Sequence, residues 1–360
     1  MKFERNRRYL VILVFLLLLG FYFLVQKQAP VMQAPLGDCD PNTYYIDYEL
    51  GDDSNDGLCQ ASAWKHSPGD PNALLNPLGT QLQPGDTVAF KGGVKYYGDL
   101  TLAASGTSAG RITYLGNEWG TGKAIIDGSN LITTSWTNCL SAADCGDNPN
   151  WQNIYYTTAP AGMTLFKPIY EGDSFASIAQ DPNPVDPHYY DSIAGFHNIP
   201  YGGNIILTLS SITDPTRFTQ TDPSYYNGSS IAFWYNPNMV TYQNVISFDP
   251  ATDTIYFDPY TGGGNLYPDR DGKYSILNHL GSLDSVGESS FNQVEGRVYL
   301  WPKDVNNLND ISVANSKQLI DTYGHDYITI EGFKIQKAYG DLEEYHLGSG
   351  IYNDLFISDS

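Results

Sequence analysis

The 360-residue chain sets 40 Asp and Glu against 19 Lys and Arg, a net charge of −21, so a phosphate backbone is repelled and a nucleic-acid partner is excluded. Its 28 Tyr, 35 Gly and 21 Pro, with Asp far more frequent than Glu, describe many short strands joined by tight acidic turns, with little helix. Behind the N-terminal segment enough chain remains for a large core or for two packed units.

The first element is an export segment, residues 1–30. Lys2, Arg5, Arg7 and Arg8 precede an unbroken apolar run over residues 9–25, the charge asymmetry that keeps an N-terminus inside and sends the downstream chain across. As a helix the run is about 26 Å long, between a long signal-peptide core and a short spanning helix. It makes a poor buried core helix because no polar face is left for water. Met32 and Ala34 supply a weak cleavage site with Pro35 directly behind, so a signal anchor is favoured over a cleaved signal peptide. A lipid-attachment reading of Leu36-Gly37-Asp38-Cys39 suffers from its acidic residue and from its distance to the apolar run. The membrane is then met through this segment alone, and the rest of the chain is extracytoplasmic, anchored or secreted. Residues 31–38 form a linker, part of a stretch with two prolines and no periodicity.

Four cysteines in an oxidising compartment allow three pairings, and proximity selects Cys39 with Cys59 and Cys139 with Cys145. No CxxC spacing points to zinc. Residues 39–149 alternate short apolar runs with breakers: strands are predicted at 44–48, 87–91, 99–102, 112–115 and 124–126, separated by turns such as Gln83-Pro-Gly-Asp86, and one helix at 71–78. Residues 150–305 are longer in rhythm and richer in aromatics. Strands are predicted there at 154–157, 205–209, 231–235, 245–248, 254–257, 274–278 and 297–301, with a hairpin over 248–257, and the whole reads as an all-β insertion. Residues 306–360 return to short strands at 318–322, 327–335 and 350–358, with Gly332 as the bend inside the second. Aligning Tyr327-Ile-Thr-Ile with Asp354-Leu-Phe-Ile gives a step of about 27 residues, one turn of a stacked solenoid with a loop. Because the sequence stops directly after a strand, without a cap, the natural protein is expected to continue.

Several segments carry a resemblance: Tyr44-Tyr-Ile-Asp47, Gly51-Asp-Asp-Ser-Asn-Asp-Gly57, Ala63-Trp-Lys65, Gln83-Pro-Gly-Asp-Thr-Val-Ala-Phe-Lys-Gly-Gly93, Ser105-Gly-Thr107 and Gly122-Lys-Ala-Ile-Ile-Asp-Gly-Ser129. Together they resemble the N-terminal cap and first turns of the extracellular right-handed parallel β-helix (pectate-lyase-like) proteins, which include polysaccharide lyases and glycoside hydrolases. Asp249-Pro-Ala-Thr252, Leu277-Asn-His-Leu280, Leu283-Asp-Ser-Val-Gly-Glu288 and Val298-Tyr-Leu-Trp-Pro302 are similar to the β-sandwich-like insertion of some of those hydrolases. The resemblance implies an all-β, right-handed parallel β-helix (solenoid) with an all-β insertion, and a carbohydrate-active protein cleaving an extracellular polysaccharide. Ser289 departs from it, since many relatives place an aromatic residue after that Gly-Glu, and looser local packing is expected. The architecture also serves non-catalytic adhesins and glycan-binding surface proteins.

The acidic loop Gly51–Gly57 invites a calcium reading but fails as an EF-hand, because with Gly57 in the sixth place the twelfth is Ala63, which has no carboxylate. Asx turns explain it more simply, and no cofactor is expected. Glycosidic hydrolysis needs two carboxylates across the bond; elimination needs a base and a group that neutralises the uronate. Asp321, Asp326 and Glu331 lie in the C-terminal turns, Glu331 pointing outward from a regular strand. Glu343, Glu344 and His346 sit on a loop between strands, where substrate-facing groups belong, and are the catalytic candidates. Trp151, Trp234, Tyr235 and Trp301 read as packing before they read as sugar platforms. No Ser-His-Asp order, phosphate loop or dinucleotide fingerprint is present. The expected partner is a polysaccharide or surface glycan, met by a monomer.

Overall fold

The computed structural model describes residues 39–165, 167–184, 195–200, 203–204, 209–236, 239–259, 272–322, 324–340 and 349–352. The export segment, most of the strand predicted at 205–209 and Asp354-Leu-Phe-Ile lie outside them. The described chain is nearly all β; its one α-helical turn is Leu75–Gly79. That turn is shorter than the predicted 71–78 because the preceding N–H groups are spent elsewhere. Asn72 N–H goes to Asp70 Oδ1 at 2.7 Å and Leu74 N–H to Asp53 Oδ2 at 3.0 Å, while Ala73 N–H goes to the Asp70 carbonyl. Among the described residues no helix is long and apolar enough to cross a membrane.

The chain divides into two compact units. The first holds the described part of Met1–Val94 with Ala104–Ala124 and Tyr327–Phe333. Its frame is a parallel ladder of Thr43–Ile46, Thr87–Phe90, Ile112–Leu115 and Ile328–Glu331. Tyr44 faces Val88, Val88 faces Tyr114 and Tyr114 faces Ile330. Tyr45, Ile46, Val88, Ala89, Ile112, Tyr114 and Leu115 are fully buried, so both faces of these strands are covered, as parallel sheets require. At the N-terminal end Cys39 is bonded to Cys59. The loop between them wraps Trp64, which stacks on Tyr44 with ring centroids 5.0 Å apart and donates its indole N–H to the Asn55 carbonyl at 2.7 Å.

The second unit holds Lys95–Ala103, Ile125–Asp326 and the described part of Lys334–Ser360. Two further parallel sheets run through it, Lys95–Tyr97 with Ala124–Asp127 and Phe333–Gln336, and Leu100–Thr101 with Gln318–Asp321 and Ser349–Tyr352. From Thr87–Phe90 onward, successive strands thus visit the three parallel ladders in rotation, and the rotation is interrupted once, between Ala124–Asp127 and Gln318–Asp321; Thr43–Ile46 precedes it in the same ladder as Thr87–Phe90. Gly332, at φ +80°, is the bend between Ile328–Glu331 and Phe333–Gln336. Gln318 pairs with Ser349, a step of 31 residues (349 − 318).

The interrupting residues form two larger sheets. One begins with Ser129–Leu131 and Ile311–Ala314 and continues through Ile169–Glu171, Ser174–Ile178, Glu288–Asn292, Arg297–Leu300, Tyr155–Thr158 and Thr137–Asn138. The other is built on Lys273–Leu277, Ser230–Asn236, Met239–Asp249, Thr254–Phe257 and Ser210–Thr213, with Ile212, Phe218, Ile231, Phe233, Phe257 and Tyr274 in its core. The hairpin over 248–257 is present, Phe248 facing Ile255. Cys139 and Cys145 are bonded to each other, and Trp151 and Trp301 pack beside them; the side chains of Trp234 and Tyr235 lie outside the described part. Under Ser289 lies a cavity of about 130 Å³, lined also by Met163, Ile169, Phe175, Ile178 and Phe291.

Beside this insertion a buried ion pair closes the second unit. Asp127 is fully buried and Lys337 is 5 % exposed, with Nζ 3.2 Å from Asp127 Oδ2. The same ammonium donates to Ser312 Oγ at 3.1 Å and lies 5.1 Å from the Tyr170 ring centroid.

Candidate functional site

Glu343, Glu344 and His346 lie outside the described residues. Of the other acids considered in the C-terminal turns, Asp321 ends the Gln318–Asp321 strand and Glu331 ends Ile328–Glu331, both exposed; Asp326 is exposed on the connection between them.

The acidic loop is spent on its own backbone. Asp52 accepts from Ser54 N–H at 2.8 Å, and Asp56 from Leu58 N–H at 3.1 Å and Ser62 Oγ at 2.6 Å. Asp53, 6 % exposed, takes the N–H groups of Lys65, His66 and Leu74 and the His66 ring at 2.7 Å. Burial pushes the Asp53 carboxyl up, but its hydrogen bonds and the His66 charge outweigh that and hold it below the usual carboxylate range. These are Asx turns tying a loop together, and among the described residues no group of three His, Cys, Asp or Glu is placed to hold a metal ion.

A mixed cluster of titratable groups forms instead in the second sheet of the insertion, and no spacing in the sequence announces it. Gln180–Asp181 and His197–Asn198 both pair antiparallel with Lys273–Leu277, Asp181 opposite Ile276 and His197 opposite Tyr274. Positions two apart on one strand share a face, so the two side chains meet: His197 Nε2 donates to Asp181 Oδ1 at 3.0 Å. The imidazole is 9 % exposed and the carboxylate 48 %. In the neutral ring this bond leaves Nδ1 as the acceptor. Tyr274 donates its hydroxyl to Asp214 Oδ2 at 2.7 Å. Asp214 Oδ1 is taken by Thr216 N–H and Oγ, opening the turn that carries Arg217 and buries Phe218. His279 Nε2 donates to the Tyr225 carbonyl at 2.8 Å, the two rings 4.5 Å apart.

The electrostatics divide the cluster. The hydrogen bond from His197, then the charges of His197, Arg217 and His279, outweigh burial and hold Asp181 below the usual carboxylate range. Burial drives His279 below the ordinary imidazole value, against the hydrogen bond to the Tyr225 carbonyl and the pull of Asp181. Tyr225, Tyr226 and Tyr274 are raised, first by burial, and stay protonated. The result is one half-exposed ionised carboxylate, with hydrogen-bonding rings around it and a guanidinium in electrostatic reach. It can orient hydroxyl groups and accept a proton. Asp214 adds no second free carboxylate, because Tyr274 and Thr216 occupy both its oxygens.

Other buried acids serve the backbone. Glu171 receives the N–H groups of Lys303 and Asp304. Glu288, in the Gly-Glu motif, receives those of Asp284 and Ser285, both at 2.9 Å; burial nevertheless pushes it up to about 7.

No protein-family model matches the sequence, and no curated protein does. Two solved structures are similar. One, described as a glycoside hydrolase, aligns over 82 % of this chain and 51 % of its own at 15 % identity and a TM-score of 0.52. The other, described as XylC in complex with xylose, aligns over 82 % of this chain and 35 % of its own at 11 % identity and a TM-score of 0.36. This chain therefore spans about half of the first structure and about a third of the second. The first alignment shows a common fold.

Proposed function

We propose that this chain is an extracytoplasmic, carbohydrate-active protein that cleaves glycosidic bonds of an extracellular polysaccharide, built on a right-handed parallel β-helix interrupted by an all-β insertion. The observation that carries this reading is the rotation of successive strands through three parallel ladders, in a chain whose fold is shared with a glycoside hydrolase at a TM-score of 0.52. A strand order that returns to the same ladder every third strand is what a coiled chain produces. Two disulfides fit an oxidising compartment, which supports export by residues 1–30, and the weak cleavage site at Met32 and Ala34, with Pro35 directly behind, favours a tethered product over a released one.

In this reading Glu343, Glu344 and His346 supply the chemistry. In the sequence they fall between Phe333–Gln336 and Ser349–Tyr352, and this reading takes them as a loop, where substrate-facing groups belong. Hydrolysis would use one carboxyl to protonate the leaving oxygen and a second carboxylate to stabilise or activate attack at the anomeric carbon. Asp181 and its neighbours would hydrogen-bond the polymer.

The test is release of reducing ends, and of unsaturated ends for elimination, over a panel of neutral and uronate polysaccharides with the full-length protein. Turnover of at least one polymer is expected, falling about 10²- to 10⁴-fold on Glu343→Gln or Glu344→Gln. One observation favours a second reading as a glycan-binding surface module: Asp214, Glu171 and Glu288 all spend their carboxyls on hydrogen bonds within the protein. Binding without turnover across the panel, unchanged by those substitutions, would overturn the enzyme in favour of the module.

A further inference from the structure

Three leucines in one turn of the first unit stand out in water. Leu74, Leu75 and Leu78 are 62 %, 66 % and 68 % exposed on and beside Leu75–Gly79, while Ala73 and Pro77 beneath them are buried. A lone exposed leucine is ordinary; three within five residues mark a contact surface. Leu75 also sits at φ +49°, a left-handed backbone that glycine or asparagine adopts without strain and leucine does not. The turn is held rigidly in this presentation. Leu74 N–H is fixed to Asp53 and the Asn76 side chain donates to the carbonyls of Ser54 and Asn55 at 3.1 and 2.6 Å.

The residues that hold the turn belong to the loop that receives the chain from its N-terminal side. Cys59, four positions beyond Asn55, is bonded to Cys39 with their Cα atoms 4.0 Å apart, so the residues that hold the leucine turn lie within about 20 Å, measured along the chain and the disulfide, of the point where the chain enters the fold. The 13 residues between the end of the apolar run at 25 and Cys39 reach at most about 45 Å. The leucines thus lie beside the attachment point of a short tether to the apolar run 9–25.

We propose that Leu74, Leu75 and Leu78 dock this unit onto the outer surface of the bilayer that holds the anchor, an inference that rests on the tethered reading. Three leucines alone bind a membrane weakly, but a tether turns the contact into an intramolecular one at high effective concentration. The surrounding charge selects the lipid. Asp52 is exposed and Asp70 half-buried on the neighbouring turns, and the chain carries a net charge of −21, so a zwitterionic surface is preferred to an anionic one.

The experiment uses the full-length chain in phosphatidylcholine vesicles, with an environment-sensitive fluorophore on Leu78→Cys and, for comparison, on Val294→Cys, a position 92 % exposed in the second unit. The label at 78 is expected to shift to the blue, to be quenched by nitroxide-bearing phospholipid and to be shielded from aqueous iodide; the label at 294 does the reverse. Leu74→Ser with Leu75→Ser abolishes the nitroxide quenching at 78, and replacing phosphatidylcholine by phosphatidylglycerol at low salt weakens it. Iodide quenching at 78 without nitroxide quenching overturns the proposal. So does shielding from both quenchers, which would mean that a second copy or the chain's own residues 1–38 cover the leucines. Alkaline carbonate extraction reads the anchor separately: release of the chain defeats the tether and the docking together, whereas retention with an iodide-quenched label defeats the docking alone.

Discussion

At Glu288 burial strips water from a carboxyl that receives two main-chain N–H groups in return, and its value rises to about 7. A carboxyl raised in the folded state stabilises the fold below its unfolded value and loses that contribution as pH climbs through the folded one. Between pH 4.5 and 7 the protein should therefore lose roughly 2 kcal/mol through this residue, and Glu288→Gln should flatten that part of a melting-temperature profile. Asp127 behaves oppositely. Burial pushes it up, but hydrogen bonds from Ser129 and Gln336 and the charge of Lys337 hold it below the usual range. Its contribution is present above the ordinary carboxylate value and lost as pH falls through the lowered one. Asp127→Ala strands Lys337 in the interior, which should cost about 3–5 kcal/mol in urea unfolding. Adding Lys337→Met should return much of that loss, and a full loss in the double variant would show that the pair is not the cause.

At the scale of the element, Gly57 stands at φ +72° with a Cβ position that falls inside the Trp64 indole. Gly57→Ala should destabilise the first unit by more than about 1 kcal/mol, read as earlier exchange of its amide protons. Ser289→Val should raise the melting temperature by filling part of the cavity, about 1 kcal/mol for some 40 Å³; a fall would show that the hydrogen bond from Ser289 to the Ser177 carbonyl matters more. The sequence announces such elements unevenly. Ile112–Leu115 and Thr254–Phe257 are readable because each is a compact β-branched and aromatic run between breakers. Ser174–Ile178 and Glu288–Asn292 are not, since Ser, Ala and Glu carry little strand preference and pairing with neighbours decides their state. The meeting of Asp181 with His197 has no local signal at all: it exists because two short strands pair with one strand about 80 to 95 residues further along.

For the whole molecule, two cross-links act mainly on the unfolded chain. Cys39–Cys59 closes 20 residues and Cys139–Cys145 closes six, which loop entropy converts to about 3 and about 2 kcal/mol. Removing each pair by Cys→Ser should lower thermal stability in that order, and reductant should abolish the difference between the parent and the double variants. The parallel ladder of the first unit has a different global consequence. Ile328 faces Ile112 across a register step of 216 residues (328 − 112), so the strand that covers Ile112–Leu115 is made long after it. During synthesis that edge waits, its N–H and C=O groups open to any passing strand. The whole intervening insertion is synthesised before the wait ends. Assembly of this protein is thus ordered by its topology: the first ladder closes only once residue 331 has emerged, and the nascent chain is most vulnerable to mispairing in the interval before it.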